Sequence, residues 1–214
     1  MYTLLKIRLC STQSRFTLFV LHYLRHACSS LILVLIPSLC HAAEWDIDAL
    51  MNSLSQTRVG HASFVEKKMF ALFDKPVESS GELLYTAPDR LEKRTLKPKP
   101  ESMIVNGNDL LIERGRQKHQ LQLQSYPELA AFIDSIRGTL AGDRKALERS
   151  YRLSIEGSAE KWSLQLHPVE EKMQRVVQRI RIAGVRDQVL SIEITQADGD
   201  SSIMTIEKMA KPNG

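Results

Sequence analysis

The chain has 214 residues, and its 29 Lys and Arg exceed its 25 Asp and Glu, so its formal net charge at pH 7 is +4. The excess lies in the first 43 residues, which contain no acidic residue and carry Lys6, Arg8, Arg15 and Arg25. The remainder has no net charge with His neutral, which gives no argument for a nucleic-acid partner. The same leader holds every cysteine of the chain: Cys10, Cys28 and Cys40. Disulfides and thiolate metal sites are therefore excluded beyond it.

Residues 1–42 are predicted to be a cleaved secretory signal peptide. An apolar run from Leu31 to Ile36 follows the basic leader and ends at Pro37, and Cys40 and Ala42 are small residues suited to a cleavage site. A transmembrane anchor is the alternative, but the run is well short of the roughly 20 apolar residues that a span needs. Residues 43–214 are then expected to form a single domain in an extracytoplasmic space.

The first half of this domain is predicted to contain one short helix and about six strands. Residues 46–56 place apolar side chains on one helical face, and Asp46 can cap its start. Pro88-Asp89 and Gly107-Asn108 are turn signals, and Gly81 within a strand predicts a bulge. The predicted strands are 60–73, 77–86, 90–96, 102–106, 110–114 and 119–124.

The second half is predicted to contain a helical pair followed by about five strands. Residues 127–140 carry an apolar stripe, and Pro127 suits a first helical turn. Gly142-Asp143 would end this helix and cap a second one over residues 144–149. The predicted strands are 151–155, 162–166, 176–182, 190–194 and 203–208, with a turn at Asp198-Gly199-Asp200 before the last.

This order of elements predicts an α+β fold that is mainly β. Strands and helices do not alternate, so a parallel sheet is disfavoured. Each strand has one apolar and one polar face, as in an antiparallel sheet covered on one side. A single sheet of about ten or eleven strands must curl strongly or close. The few helices lie where they could cover its concave apolar face.

No constellation for catalysis or metal binding is evident, so the protein is predicted not to be an enzyme and to need no cofactor or metal. His61, His119 and His167 each stand alone, without the spacing of a metal-binding pair. Asp198-Gly199-Asp200 lacks the further ligands of a calcium loop and is interpreted as a turn.

Two charged groups near the C-terminal strands are also interpreted structurally. Glu170 and Glu171 are interpreted as adjacent strand residues, whose side chains would point to opposite faces. Arg175, Arg179 and Arg181 are predicted to form a basic ridge on one strand face. A solvated outer face is the favoured interpretation of this ridge, and a contact for an anionic headgroup or partner is the alternative.

Several motifs occur in an order that resembles the LolA-like family of periplasmic lipoprotein carriers. After Phe64 and Pro76 come Ser80-Gly81-x-Leu83-x-Tyr85, Pro88-Asp89-x-Leu91, Met103-Ile104-Val105-x-Gly107, Trp162-x-Leu164-x-Leu166-x-Pro168 and Asp198-Gly199-Asp200. The resemblance covers nearly the whole chain after the leader, and it is closest to a divergent branch of the family.

The resemblance implies an incomplete antiparallel β-barrel closed by helices, with an apolar cavity that shields acyl chains in the periplasm. Its expected cargo is an acylated lipoprotein or related lipid that moves from the inner to the outer membrane. Three helix residues are expected to form a lid: Leu129, Phe132 and Ile136. The expected cavity lining is Phe64, Leu83, Tyr85, Leu91, Val105, Ile112, Trp162, Leu164, Ile192 and Ile194. Ordinary core packing is the alternative role for each of these residues.

One departure from the family pattern bears on the cargo. Lipoprotein carriers of this kind have an arginine directly before the Pro of the second corner, and this arginine helps to hold the lid closed. They also have an aromatic residue three positions after that Pro. Here these positions are Ala87 and Leu91. The resemblance implies a monomer that works with an inner-membrane exporter and an outer-membrane acceptor. The departure favours a non-lipoprotein lipid or glycolipid with a dedicated exporter as one alternative. A periplasmic binding or sensor module with a protein partner is the other.

Overall fold

The computed structural model describes residues 45–209, and the predicted signal peptide lies outside these residues. Its strands form one antiparallel sheet in the order β6-β5-β4-β3-β2-β1-β11-β10-β9-β8-β7. The bounds are β1 Val59–Met69, β2 Val77–Thr86, β3 Arg90–Lys97, β4 Glu101–Asn106, β5 Asp109–Arg114, β6 Gln117–Gln122, β7 Tyr151–Ser158, β8 Lys161–Pro168, β9 Val177–Val185, β10 Gln188–Gln196 and β11 Ser201–Lys208. Since β6 and β7 are its edges, the sheet is curled without closing into a barrel. The predicted fold class is confirmed.

One short helix precedes the sheet, α1 Ile47–Leu54, and the other helical segments connect its strands: a 3-10 turn Leu123–Ser125, α2 Pro127–Ala141, α3 Arg144–Glu148 and α4 Glu171–Gln174. Asp46 caps α1 as predicted, because its carboxylate accepts a hydrogen bond from the Ala49 N–H at 2.8 Å. Asp143 caps α3 in the same way through the Ala146 N–H at 2.9 Å. Between residues 45 and 209, no helix is long and apolar enough to cross a bilayer.

Three local predictions are wrong. The predicted strand 60–73 ends at Met69, because residues 70–76 leave the ladder and form a loop. The predicted strand 119–124 ends at Gln122, because Asn108 accepts hydrogen bonds from the next backbone N–H groups and bends the chain into the 3-10 turn. Glu171 is not a strand residue, since it begins α4 directly after Glu170.

Glycines allow two close backbone approaches in this fold. At Gly81 the register between β2 and β3 shifts, which confirms the predicted bulge, and an added Cβ would lie 1.9 Å from the Arg94 carbonyl oxygen. Gly142 ends α2 at φ +68°, where a Cβ would lie 2.1 Å from the Met51 carbonyl oxygen of α1. Gly142 therefore allows the end of α2 to pack directly against α1.

The pairing register defines two faces of the sheet, because residues opposite each other on antiparallel strands share a face. We call the inner face the one that carries Phe64, which lies opposite Gly81 on β2 and Ile206 on β11. This face packs against the helices, while charged residues such as Glu193 dominate the outer face.

Candidate functional site

The strands bring all ten predicted cavity-lining residues to the inner face. Tyr85 lies opposite Leu91, and Leu91 lies opposite Val105, so these three form a row across β2, β3 and β4. On the other half of the sheet, Leu164 lies opposite Ile182, which in turn lies opposite Ile192. The remaining members are in phase with these rows: Phe64, Leu83, Ile112, Trp162 and Ile194. Their role as cavity lining stays a prediction.

One half of the inner face is a densely packed cluster, which we call the β7–β10 core. Trp162 and Leu164 are fully buried in it, and the Trp162 indole N–H donates to the Arg186 carbonyl oxygen at 2.9 Å. Ile192 and Ile194 pack at its margin and are half-buried. Its buried members are Leu50, Met51, Leu54, Leu147, Tyr151, Trp162, Leu164, Leu166, Met173, Val177, Ile180 and Ile182. Trp162 and Leu164 thus serve as core residues in this conformation.

A second, smaller cluster lies on the other half, and we call it the β4–β6 core. Its buried members are Val105, Leu110, Leu123 and Ile133. Of the predicted lining residues, Val105 belongs to it, and Leu91 and Ile112 pack against it while remaining half-buried. Apolar surface on this half is therefore less completely covered than in the β7–β10 core.

Helix α2 joins the two cores. Leu129 packs against the β4–β6 core, Ile136 packs against the β7–β10 core, and Phe132 contacts both. All three predicted lid residues thus lie on the helix that spans the inner face. Their function as a movable lid stays a prediction.

An arginine that the sequence interpretation missed connects α2 to the sheet. Arg137 Nη1 donates to the Gly107 carbonyl oxygen in the β4–β5 turn at 2.5 Å, and the same guanidinium pairs with Asp134 one turn earlier. Ala87 occupies the position where the family pattern has its lid-holding arginine. Here the contact between helix and sheet comes from a guanidinium on the helix itself.

A buried ion pair interrupts the apolar inner face between the two cores. Glu66 on β1 and Lys93 on β3 approach to 2.5 Å, with 7% and 27% of their side chains exposed. Ser79 also donates to Glu66 at 3.4 Å, and the Lys93 ammonium lies 4.9 Å from the centre of the Phe64 ring. The Lys68 ammonium, which is half-exposed, also lies 3.8 Å from Glu66. These residues place a polar, charged group on a surface that is otherwise suited to hydrocarbon.

Two tyrosine hydroxyls are buried on the inner face without a hydrogen-bond partner among the described residues. Burial raises the pKa of Tyr151 to about 12, with Ser135 opposing the shift and Asp134 adding to it. The Ser135 hydroxyl itself donates to the Phe132 carbonyl oxygen at 2.6 Å. Burial also raises the pKa of Tyr85, with Arg58 opposing the shift and Asp89 adding to it. Both phenols are therefore held in the neutral form.

The outer face offers no alternative chemical site among the described residues. His61 lies 3.4 Å from Glu82, and residues 45–209 contain no group of three or more His, Cys, Asp or Glu that could hold a metal. Arg179 and Arg181 pair with Glu193 at 3.8 and 3.5 Å, which neutralises part of the predicted ridge. Arg175 does not share their strand, because it follows α4, so the prediction of one three-arginine face is wrong.

Two surface recesses lie away from the predicted lining. One of about 410 Å³ is bordered by His167 and Gln174 where β8, α4 and β9 meet. The other, of about 500 Å³, is bordered by Ser163 and Arg181 on the outer face. Trp162 is the one predicted lining residue at the border of either recess.

A comparison with known protein families agrees with the resemblance. Residues 40–211 match the family described as outer membrane lipoprotein carrier protein LolA-like. Over 132 residues the chain is 27% identical to an outer-membrane lipoprotein carrier protein of Dechloromonas aromatica. That alignment covers 62% of this chain and 61% of the relative.

Solved structures with a similar arrangement are more distant in sequence. A LolA superfamily protein of Nitrosomonas europaea is 10% identical, with a TM-score of 0.44 over 78% of this chain and 95% of that chain. The complex of MucA and MucB from Pseudomonas aeruginosa contains a chain that is 16% identical, with a TM-score of 0.44 over 78% of this chain and 56% of that chain.

Proposed function

The chain belongs to the LolA-like family of outer membrane lipoprotein carrier proteins, and we propose that it shields acyl chains of a lipoprotein or related lipid on its inner face during transit between membranes. The observation that carries this proposal is the position of α2, whose Phe132 contacts both apolar cores across the open sheet. A single helix movement would expose apolar surface on both sides at once.

The half of the face around the β4–β6 core is the proposed entry for the acyl chain. Leu91 and Ile112 are half-buried there, so a chain can contact them without first displacing a complete core. The β7–β10 core is proposed to keep its packing when cargo binds, because Leu164 and Trp162 are already fully buried. Movement of α2 away from the sheet would expose further apolar surface, extending from the β4–β6 core toward the β7–β10 core.

Arg137 is proposed to control this movement. Its guanidinium holds α2 to the carbonyl of Gly107, and Asp134 orients it from the same helix. A hydrogen bond from a charged donor contributes about 1.5–3 kcal/mol at most, which is small enough for a bound chain to offset. The contact therefore favours a closed helix without locking it.

Burial of hydrocarbon supplies the driving force. Each buried CH₂ contributes about 0.8 kcal/mol, so a sixteen-carbon chain corresponds to on the order of ten kcal/mol. Such a chain leaves a bilayer at a useful rate only when another apolar surface receives it. The Glu66–Lys93 pair is the proposed contact for the polar end of the cargo, because it is the charged group between the two cores.

The proposed setting follows the family. We propose cleavage after Ala42, a monomer in the periplasm, an inner-membrane exporter as donor and an outer-membrane acceptor. The intact mass of the protein recovered from the periplasm tests the cleavage site.

Displacement of an apolar fluorescent probe by palmitate tests acyl binding. We expect the purified protein to bind the probe, to lose it to palmitate, and to carry lipid in native mass spectrometry. Ile112→Glu places a carboxylate on the inner face and should weaken palmitate binding by about tenfold or more, because an unpaired charge against hydrocarbon costs several kcal/mol.

Leu111→Glu is the matched control. Leu111 is the adjacent residue of β5, is similarly half-buried, and points to the outer face. Its variant should bind palmitate as the unmodified protein does. Absence of both co-purified lipid and displacement would contradict the carrier proposal and favour a module that binds a protein partner. Equal losses in both variants would contradict the proposed entry site.

A further inference from the structure

The hairpin between β1 and β2 presents large apolar side chains to solvent. We call residues 69–77 the β1–β2 tip. Leu72 is 92% exposed and Phe73 is 65% exposed, and Met69 and Val77 on its two flanks are also exposed. Exposed large apolar side chains that are grouped in one hairpin indicate an interaction surface, whereas single exposed apolar residues are common on any protein.

The loop is held in this outward conformation by specific contacts. The Phe73 N–H donates to the Phe70 carbonyl oxygen at 2.9 Å, and the two aromatic rings meet edge to face at 6.0 Å. The Ala71 N–H donates to the Asp200 carboxylate of the β10–β11 turn at 2.9 Å. Phe70 is half-buried, while Leu72 and Phe73 remain exposed at the apex.

Lysines that carry no paired carboxylate lie within the β1–β2 tip and on its β3 side. Ser80 lies opposite Lys97, so the β3–β4 turn is at the same end of the sheet as the tip. Lys75 lies in the tip and Lys97 and Lys99 lie at the β3–β4 turn, and none of these three forms a salt bridge within residues 45–209. Lys67 and Lys68 on β1 are instead paired with Glu78 and Glu66. Asp198 and Asp200 lie on the opposite, β11 side. The charge is therefore asymmetric about the apolar apex.

We propose that the β1–β2 tip docks the protein on the surface of a bilayer that contains anionic lipids. Leu72 and Phe73 would enter the interfacial region, and the lysines would contact the headgroups. A protein partner fits these features less well, because specific interfaces bury about 800 Å² on each partner and are depleted in lysine. The apex offers two large side chains flanked by lysine, which suits a fluid lipid surface.

Docking of the tip on a bilayer is a separate activity from acyl binding, and it would bring the inner face close to the membrane from which cargo is taken. Glu66 lies three positions before Met69 on β1, and its pair with Lys93 lies on the inner face near the same end of the sheet. A bilayer in contact with the tip would therefore adjoin the part of the inner face that we propose to receive cargo. Docking itself needs no bound cargo and can be tested with the empty protein.

Co-sedimentation with vesicles tests the proposal. We expect the full purified protein to bind vesicles of phosphatidylglycerol and phosphatidylethanolamine, to bind phosphatidylcholine vesicles weakly, and to dissociate as salt is raised. The double variant Leu72→Ser/Phe73→Ser should bind at least about tenfold more weakly, because two apolar side chains no longer leave water. Lys75→Gln/Lys97→Gln should lose most of the preference for phosphatidylglycerol.

Val59→Ser is the matched control for the apolar apex. Val59 is 67% exposed, much as Phe73 is, but it lies at the opposite end of β1. Its variant should bind vesicles normally. A Phe73→Trp variant adds a direct reading, since the emission of the introduced indole should shift to the blue and be quenched by brominated lipid.

Vesicle binding that is absent in the unmodified protein, or equal in the double variant and Val59→Ser, would overturn the proposal. Emission of the Phe73→Trp variant that neither shifts to the blue nor is quenched by brominated lipid would also overturn it. Palmitate displacement should be unchanged in Leu72→Ser/Phe73→Ser. A failure of docking is thereby distinguished from a failure of acyl binding.

Discussion

The two halves of the inner face differ in how completely their apolar residues are covered. In the β7–β10 core, Leu164, Leu166 and Ile180 have no exposed surface, and α1 contributes three buried residues of its own. In the β4–β6 core, Leu110 reaches the same burial, but the core has four buried residues against twelve, and Leu91 and Ile112 beside it are half-buried, as Ile192 and Ile194 are at the margin of the larger core. One sheet therefore carries a large buried core and a smaller one, and the proposed entry for the acyl chain lies beside the smaller core.

This difference separates stability from function within one domain. Close-packed interiors resist any change of volume, so the β7–β10 core cannot admit a ligand without losing its own contacts. A half-covered apolar surface is still in contact with water, so a ligand that covers it lowers the free energy by burying that surface. Substitutions on the two halves should thus affect different measurements, and three comparisons test this expectation.

The largest expected effect is the loss of stability in Leu164→Ala. Leu164 is fully buried in the β7–β10 core, so its truncation should lower the free energy of unfolding by about 3–5 kcal/mol through lost burial and a residual cavity. Ile112→Ala, on the half-covered side, should lower it by only about 1 kcal/mol. Urea denaturation measures both changes, and equal midpoints would contradict the distinction between the two halves.

The second comparison concerns the Glu66–Lys93 pair. Glu66→Gln leaves Lys93 without its partner and should cost about 1–2 kcal/mol, less than for a fully buried pair because Lys93 still reaches water. Glu66→Gln/Lys93→Met should recover part of this loss, since the only charge left without its partner is that of Lys68, whose side chain is half-exposed to water.

The neighbouring pair Lys67–Glu78 is the control for this effect. Its atoms are 3.8 Å apart, and both side chains are 60% exposed. Glu78→Gln should change stability by no more than a few tenths of a kcal/mol, as for most surface pairs. If Glu66→Gln were equally mild, the inner-face pair would be solvated, and its proposed contact with cargo would lose its basis.

Much of the fold follows from period-two patterns, and the same patterns place the lining residues. The alternation of Gly81, Leu83 and Tyr85 is enough to put all three on one face, because neighbouring strand residues must point to opposite sides. The bulge at Gly81 and the cap at Gly142 were also predictable, since each requires a residue without a Cβ.

Three features were harder to predict because they depend on distant partners. Glu66 and Lys93 are in phase with Phe64 and Leu91, a signal that two charges lie on the apolar face, but their pairing depends on the order of β1 to β3. Arg137 looks like an ordinary exposed helix residue until α2 is placed beside the β4–β5 turn. The early end of β1 likewise depends on Asp200, which is 129 residues away from Ala71 in the chain.

The smallest expected effect is the pH dependence of stability due to Tyr151. Its pKa is about 12 in the folded protein against about 10 when unfolded, so the folded state retains the proton when the unfolded state releases it. The stabilising contribution of the neutral phenol is complete below pH 10 and is lost as pH rises from 10 toward 12. Near pH 11 the loss should be about 1 kcal/mol.

Tyr151→Phe should remove this part of the alkaline decline, because phenylalanine cannot ionise. Tyr85 provides the comparison, since burial also raises its pKa but it lies on the other half of the inner face. Tyrosinate absorbance during titration should show Tyr151 ionising after Tyr85, with the single Tyr→Phe variants making the assignment. If Tyr151 ionised first, water would reach the β7–β10 core more readily than the other half, and the contrast between a solid core and a receptive surface would be reversed.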